Sequence, residues 1–205
     1  MGLLRSPDIT WWRDARFGMF VHWGLYAQLG IVESWALCSE DQPFQDRGGM
    51  PYTEFKEMYF GLIREFNPRQ FDPVPWAEAA RDAGMRYVVF TTKHHDGFSM
   101  WDTGQTDFRI TGPDSPFRDH SKANVAKEVF EAFRARDFMI GAYFSKADWH
   151  HPDYWSPLWA TPNRNNNYDT RKYPEKWQSF RDFTYNQVEE LMTTMGRVDI
   201  LWLDG

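Results

Sequence analysis

The strongest constraint on this chain is an alternation that recurs along its length: short runs of β-branched and aromatic residues separated by stretches with helical periodicity. Gly18 to Trp23 (GMFVHW), Tyr87 to Thr92 (YVVFTT), Met139 to Phe144 (MIGAYF) and Ile200 to Asp204 (ILWLD) read as strands. Trp76 to Ala83 reads as a helix, with Pro75 at its start and Gly84 as its stop. Asn124 to Arg136 is a second helix, carrying Val125, Val129 and Phe133 at fourfold spacing. A long third helix begins near Pro174, sets Trp177, Phe180, Val188, Leu191 and Met195 on its apolar side and closes at Gly196. Repeated β-α-β units with right-handed crossovers build a parallel sheet, either doubly wound or closed into a barrel.

The connectors decide between these. Leu25 to Thr53, Asp96 to Ala123 and Ser145 to Tyr173 are long and rich in Trp, Pro, Gly and Asn. Connections of that length inside a compact domain are usually functional. All three follow the carboxyl ends of strands, where barrel active sites are built. No G-x-G-x-x-G follows any strand, which disfavours a dinucleotide fold. No internal repeat or linker divides residues 1–205, so one domain is expected.

Composition narrows the partners. A net charge of -6 without a basic run argues against nucleic acid. No apolar stretch is long enough to span a bilayer, and Met1 to Pro7 lacks the pattern of a signal peptide. The single Cys38 allows no internal disulfide. Eleven Trp exceed what a core of this size needs; they fit a Trp-rich core or a carbohydrate site, where flat rings stack on the C–H faces of sugars.

Alternation sorts each strand into two faces. One face holds Gly18, Phe20 and His22 on the first strand, and Val88, Phe90, Thr92 and then His94 on the second. On the third it holds Gly141, Tyr143 and Ser145, and on the fourth Trp202 and Asp204. Every strand thus ends in a polar group at the mouth of the sheet. Each also has a structural reading: His22 as a core histidine, Tyr143 as a barrel filler, Asp148 to His151 as solvated loop groups. His94, His95 and Asp96 could ligate a metal, but adjacent strand residues point apart and no carboxylate stands at a usual ligand spacing, so no metal or other cofactor is expected. Asp204 is the hardest to explain structurally, because a carboxylate closing a buried apolar strand is costly unless partners or a reaction use it.

These segments also carry a resemblance. FGMFVHWGLYA (Phe17 to Ala27), KHHDGFSMWDT (Lys93 to Thr103), GAYFSKADW (Gly141 to Trp149) and ILWLDG (Ile200 to Gly205) resemble successive signature segments of the α-L-fucosidases, glycoside hydrolase family 29. The stretch from Asn67 to Phe98 fits the same pattern almost throughout. The resemblance implies an α/β fold, a (β/α)₈ TIM-like barrel of which this chain is about the first half, roughly four β-α units. It implies retaining hydrolysis of terminal α-L-fucose from a fucosylated oligosaccharide or glycoprotein glycan. It assigns Asp204 as the nucleophile, His22, His94 and His95 to fucose hydroxyls, Tyr143 to the reacting centre and Trp202 to the sugar face. Glu33 and Trp35 match a Glu-Trp pair that is adjacent in many members; here Ser34 stands between them.

The resemblance further places the acid/base carboxyl and four more strands downstream of Gly205, so the chain alone is expected to be inactive and prone to self-association. It suggests a secreted, periplasmic or lysosomal setting. Two other functions remain compatible with the same residues: a sugar-binding barrel without turnover, and a barrel glycosidase for another deoxy- or galacto-configured sugar.

Overall fold

The computed structural model describes residues 9–38, 46–161 and 163–205. The Met1 to Pro7 opening, and residues 39–45 of the first connector, lie outside the described residues. In chain order the elements are α1 (Thr10–Ala15), β1 (Gly18–Val21), α2 (Tyr52–Gly61), α3 (Val74–Asp82), β2 (Tyr87–Lys93), α4 (Val125–Arg134), β3 (Met139–Ser145), α5 (Pro174–Thr194) and β4 (Ile200–Asp204). The four strands form one sheet in the order β1-β2-β3-β4, all parallel. Sequential parallel strands joined by helices are the repeating unit of an α/β barrel, and this sheet fits the first half of one.

Local chemistry accounts for the helix ends. Asn124 caps α4 by accepting from Lys127 N at 3.4 Å. Proline occupies the first turn of both α3 and α5, where its missing N–H costs nothing. Gly84 and Gly196 end these helices at φ 81° and 71°, a conformation that favours glycine. Entry to β4 is pinned by Asp199, whose N–H donates to Ile140 O at 2.7 Å while its carboxylate accepts from Ile140 N at 2.9 Å. α1 and α2 were not readable as helices. α1 is six residues long, and the aromatic residues of α2 (Tyr52, Phe55, Tyr59 and Phe60) do not confine themselves to one stripe.

The face assignment of β2 needs correction. Phe20 pairs in register with Val89, and Tyr143 with Thr91. The face shared with Phe20 and Tyr143 is therefore Val89 and Thr91. Val88 and Phe90 instead belong to the core beneath the helices, with Val125, Val129, Phe133, Ile140, Ala142 and Phe144. His94 nonetheless reaches the site. The register shifts between Thr91 and Lys93, so that Lys93 falls opposite Phe144. One extra residue reverses the alternation, sends Lys93 to the helix side and returns His94 to the side of Tyr143.

β1 and β4 are the sheet's edges, and Phe20 (40% exposed), Trp202 (43%) and Leu203 (49%) lie partly open to solvent. Open parallel edges with apolar side chains suit further pairing. The corrected faces predict unequal mutational costs. Phe90→Ala should destabilise the chain by about 3–5 kcal/mol, the usual cost of emptying a buried phenylalanine site. Phe20→Ala should cost well under half as much. Urea unfolding followed by tryptophan fluorescence measures both, and equal losses would refute the assignment.

Candidate active site

The carboxyl ends of the four strands deliver the members of one polar cluster. His22 lies one residue past β1, His94 and His95 follow β2 directly, Tyr143 is on β3, and Trp202 and Asp204 are on β4. Glu33 and Trp35 come from the first connector. Glu33 sits at φ 50°, and Trp35 opens a short 3₁₀ turn, Trp35–Leu37. A left-handed non-glycine residue is strained by about 1–3 kcal/mol, and here the strained residue is the one whose carboxylate is most heavily engaged.

Glu33 organises one half of the site. Its Oε2 accepts from Trp35 Nε1 at 2.9 Å and lies 3.1 Å from His94 Nε2; its Oε1 lies 3.4 Å from His22 Nε2. The hydrogen bond with His94 holds the carboxyl at a pKa of about 2, well below its ordinary 4.5 and against the opposing effect of burial. Asp204 organises the other half. Tyr143 Oη donates to its Oδ2 at 2.7 Å, Gly205 N donates to its Oδ1 at 2.7 Å, and His95 Nε2 stands 3.9 Å from Oδ2. Partial burial would raise the carboxyl, but these two donors hold it below the usual carboxylate range. Tyr143 shifts the other way: burial and the carboxylate beside it push the phenol well up, so it remains a donor.

Aromatic rings join the halves. His94 and His95 have ring centroids 4.3 Å apart, and His94 stacks on Tyr143 at 5.8 Å. Phe20 stacks on His22 at 4.7 Å and meets Trp202 edge-on at 5.2 Å. Trp35 flanks His95 at 4.9 Å. The site is thus an anionic carboxylate at a strand mouth, beside a second carboxylate held by two imidazoles and walled by aromatic rings. Among the described residues, His22, Glu33 and His94 are also the three whose ligand atoms converge within 4.8 Å, close enough to grip a cation.

The α-L-fucosidase family model matches residues 3–205. This chain belongs to the α-L-fucosidase family. It is 29% identical to a putative α-L-fucosidase of Caenorhabditis elegans, over 97% of this chain and 38% of that protein. It is 36% identical to the solved α-L-fucosidase isoenzyme 1 of Paenibacillus thiaminolyticus, with a TM-score of 0.74, covering 97% of this chain and 42% of that one. A Bacteroides thetaiotaomicron family 29 α-L-fucosidase, solved as a trapped covalent intermediate, is 28% identical with a TM-score of 0.72, covering all of this chain and 43% of its own. The chain therefore spans about two-fifths of the length of these fucosidases.

Reading from sequence left out the groups behind this cluster. Lys93, fully buried, donates to Asp148 Oδ2 at 3.1 Å and to Gln187 Oε1 on α5 at 3.0 Å. Asp148 is not a solvated loop group; it is 2% exposed and also accepts from the N–H groups of His150 and His151. Gly97 is obligatory beside it, since a Cβ there would lie 2.2 Å from Asp148 Oδ1. Asp96 accepts from Tyr59 Oη at 2.7 Å, while Ser34 and Ser145 touch the Nδ1 atoms of His94 and His95. The KHHD run names Lys93 and Asp96, but their side-chain partners are 37 or more positions distant in sequence.

A pH prediction follows from Glu33. Its folded pKa of about 2 lies below the ordinary 4.5, so its stabilisation is complete above about pH 4.5 and is lost as pH falls toward 2. His95, lowered from 6.5 to about 3 chiefly by burial, weakens the fold as pH drops from 6.5 to 3. The Glu33 carboxylate opposes that lowering in His95, as it does in His22. The stability difference between wild type and Glu33→Gln should therefore not diminish between pH 7 and 5 and should shrink below about 4.5. Urea titrations across this range measure it, and a difference independent of pH would refute the hold of these donors on the Glu33 carboxylate.

Proposed function

We propose that this sequence forms the sugar-binding and nucleophilic part of a retaining α-L-fucosidase acting on terminal α-L-fucose of oligosaccharides or glycoprotein glycans. The observation that carries the reading is Asp204: a carboxylate kept anionic at the end of a barrel strand, with one oxygen held by Tyr143 and the other by the Gly205 N–H. A retaining mechanism needs such a nucleophile about 5 Å from a second carboxyl, which protonates the leaving oxygen and then deprotonates the attacking water. Asp204 attacks the anomeric carbon and forms a glycosyl ester, while the phenol of Tyr143 fixes the orientation of the attacking carboxylate. Glu33 is engaged by two imidazoles and an indole, so it is read as a hydroxyl partner, and the acid/base as a carboxyl supplied downstream of Gly205.

Fucose requires partners for three hydroxyls and an apolar wall for its methyl group. His22, Glu33, His94 and His95 supply the first, and Trp35 and Trp202 offer ring faces for the second. Burial makes such hydroxyl contacts selective, because a missing partner leaves a polar group unpaired.

Two measurements test the reading in a polypeptide that carries this sequence together with the second carboxyl. Asp204→Gly should abolish turnover of natural fucosides, and added azide should restore turnover of an activated aryl α-L-fucoside. Near-wild-type rates without azide would sink the assignment of the nucleophile. His94→Ala should weaken fucose binding by about 1–3 kcal/mol, with activity indifferent to chelators. Inactivation by EDTA that zinc reverses would instead make His22, Glu33 and His94 metal ligands.

A further inference from the structure

The hydrogen-bond inventory around the two adjacent histidines fixes more than their positions. A serine hydroxyl has one hydrogen. Ser145 Oγ donates it to the Ala147 carbonyl at 2.7 Å, an oxygen that can only accept. The same Oγ lies 2.6 Å from His95 Nδ1. With its hydrogen committed, Ser145 can only accept there, so Nδ1 carries the imidazole proton. His94 is wired the other way. Its Nε2 faces the Glu33 carboxylate at 3.1 Å, an acceptor, while its Nδ1 lies 2.5 Å from Ser34 Oγ. Ser34 is fully buried, and among the described residues this nitrogen is its hydrogen's acceptor.

We infer that Ser145 is a positioning residue that locks His95 as the Nδ1–H tautomer, while Ser34 and Glu33 lock His94 as Nε2–H, so that neighbouring imidazoles present opposite hydrogen-bonding characters to the site. His95 then offers a bare lone pair at Nε2, 3.9 Å from Asp204 Oδ2. Register makes this geometry robust, because Ser145 and Asp204 are paired residues on β3 and β4. The serine that sets the tautomer and the carboxylate beside the lone pair move as one unit. Burial keeps the His95 ring neutral, with its pKa lowered to about 3, so the acceptor persists through the physiological range.

On the reading of Asp204 as a fucosidase nucleophile, this has a consequence for specificity. A sugar hydroxyl next to the reacting carbon donates its hydrogen to His95, not to Asp204. The carboxylate's free electron pairs are thereby left for bond formation. A hydroxyl at that position has a hydrogen to give the lone pair, whereas a fluorine or methoxy group has none.

The test uses protein labelled with ¹⁵N at histidine, its imidazole nitrogens read by magic-angle-spinning spectra near neutral pH and assigned through His94→Asn and His95→Asn. The expected wild-type result is His95 protonated at Nδ1 and His94 at Nε2. Ser145→Ala should release His95 into a mixture or into the Nε2–H form, and Ser145→Thr, which keeps the hydroxyl, should restore the wild-type signature. Ser145→Ala should also weaken L-fucose binding about tenfold, equivalent to about 1.4 kcal/mol, with Ser145→Thr recovering it. Wild-type His95 protonated at Nε2 would overturn the inference whether or not any variant folds. The expected tautomers without L-fucose binding would support the tautomer device and overturn the proposed ligand.

Discussion

The ion pair between Lys93 and Asp148 holds the remaining parts of the site in place. Both side chains are almost fully excluded from water, at 0% and 3% exposed, and the ammonium reaches Asp148 at 3.1 Å and Gln187 at 3.0 Å. Breaking a buried pair by removing one partner typically costs about 3–5 kcal/mol, because an uncompensated charge remains. Here the pair ties three separate segments together: the end of β2, the third connector, and α5. Gln187 extends it to Ser99 in the second connector at 3.3 Å. The loops that follow adjacent strands are therefore fastened to one another behind the site and not merely laid over it.

That fastening explains the bulge. A lysine in an inward-facing position would put its charge among Phe20, Tyr143 and the imidazoles of the site. The register shift after Thr91 turns Lys93 toward α5, where Asp148, Gln187 and the ring of Phe144 (4.3 Å from Nζ) receive it. The same shift turns His94 toward Glu33 and Ser34. One backbone irregularity thus resolves two demands, a charge placed where it can be paired and an imidazole placed where it can be used. Bulges beside active sites commonly re-aim a side chain in this way.

The site itself divides into a half around Glu33 and a half around Asp204, and the two carboxylates are held differently. Glu33 is gripped by imidazoles and an indole on a strained loop residue. Asp204 is gripped by a phenol and a backbone N–H at the end of a regular strand. A carboxylate on a strand is positioned by the sheet register, whereas the loop-borne carboxylate follows the first connector. Variation in that connector, including the serine between Glu33 and Trp35, can move Glu33 while Asp204 keeps its place.

Sequence alone determined the order of strands and major helices, the parallel α/β class, and the residues at the strand mouths. These follow from local periodicity and from stop signals such as Gly84 and Gly196, which act within a few residues. The signature segments likewise named the family, because HWG, KHHDGF and WLDG are contiguous. Sequence did not determine which face of β2 met the site, since strict alternation predicts Phe90 beside Phe20 and a single extra residue reverses every later side chain. Nor could it give the solitary helices α1 and α2, or the partners of Lys93, Asp96 and the two histidine Nδ1 atoms. Those side-chain partners lie 37 to 94 residues away, and only the packing of the sheet and its connectors brings them within hydrogen-bonding distance. Periodicity records what each residue's neighbours in the chain demand; tertiary structure decides where a buried charge finds its counter-charge.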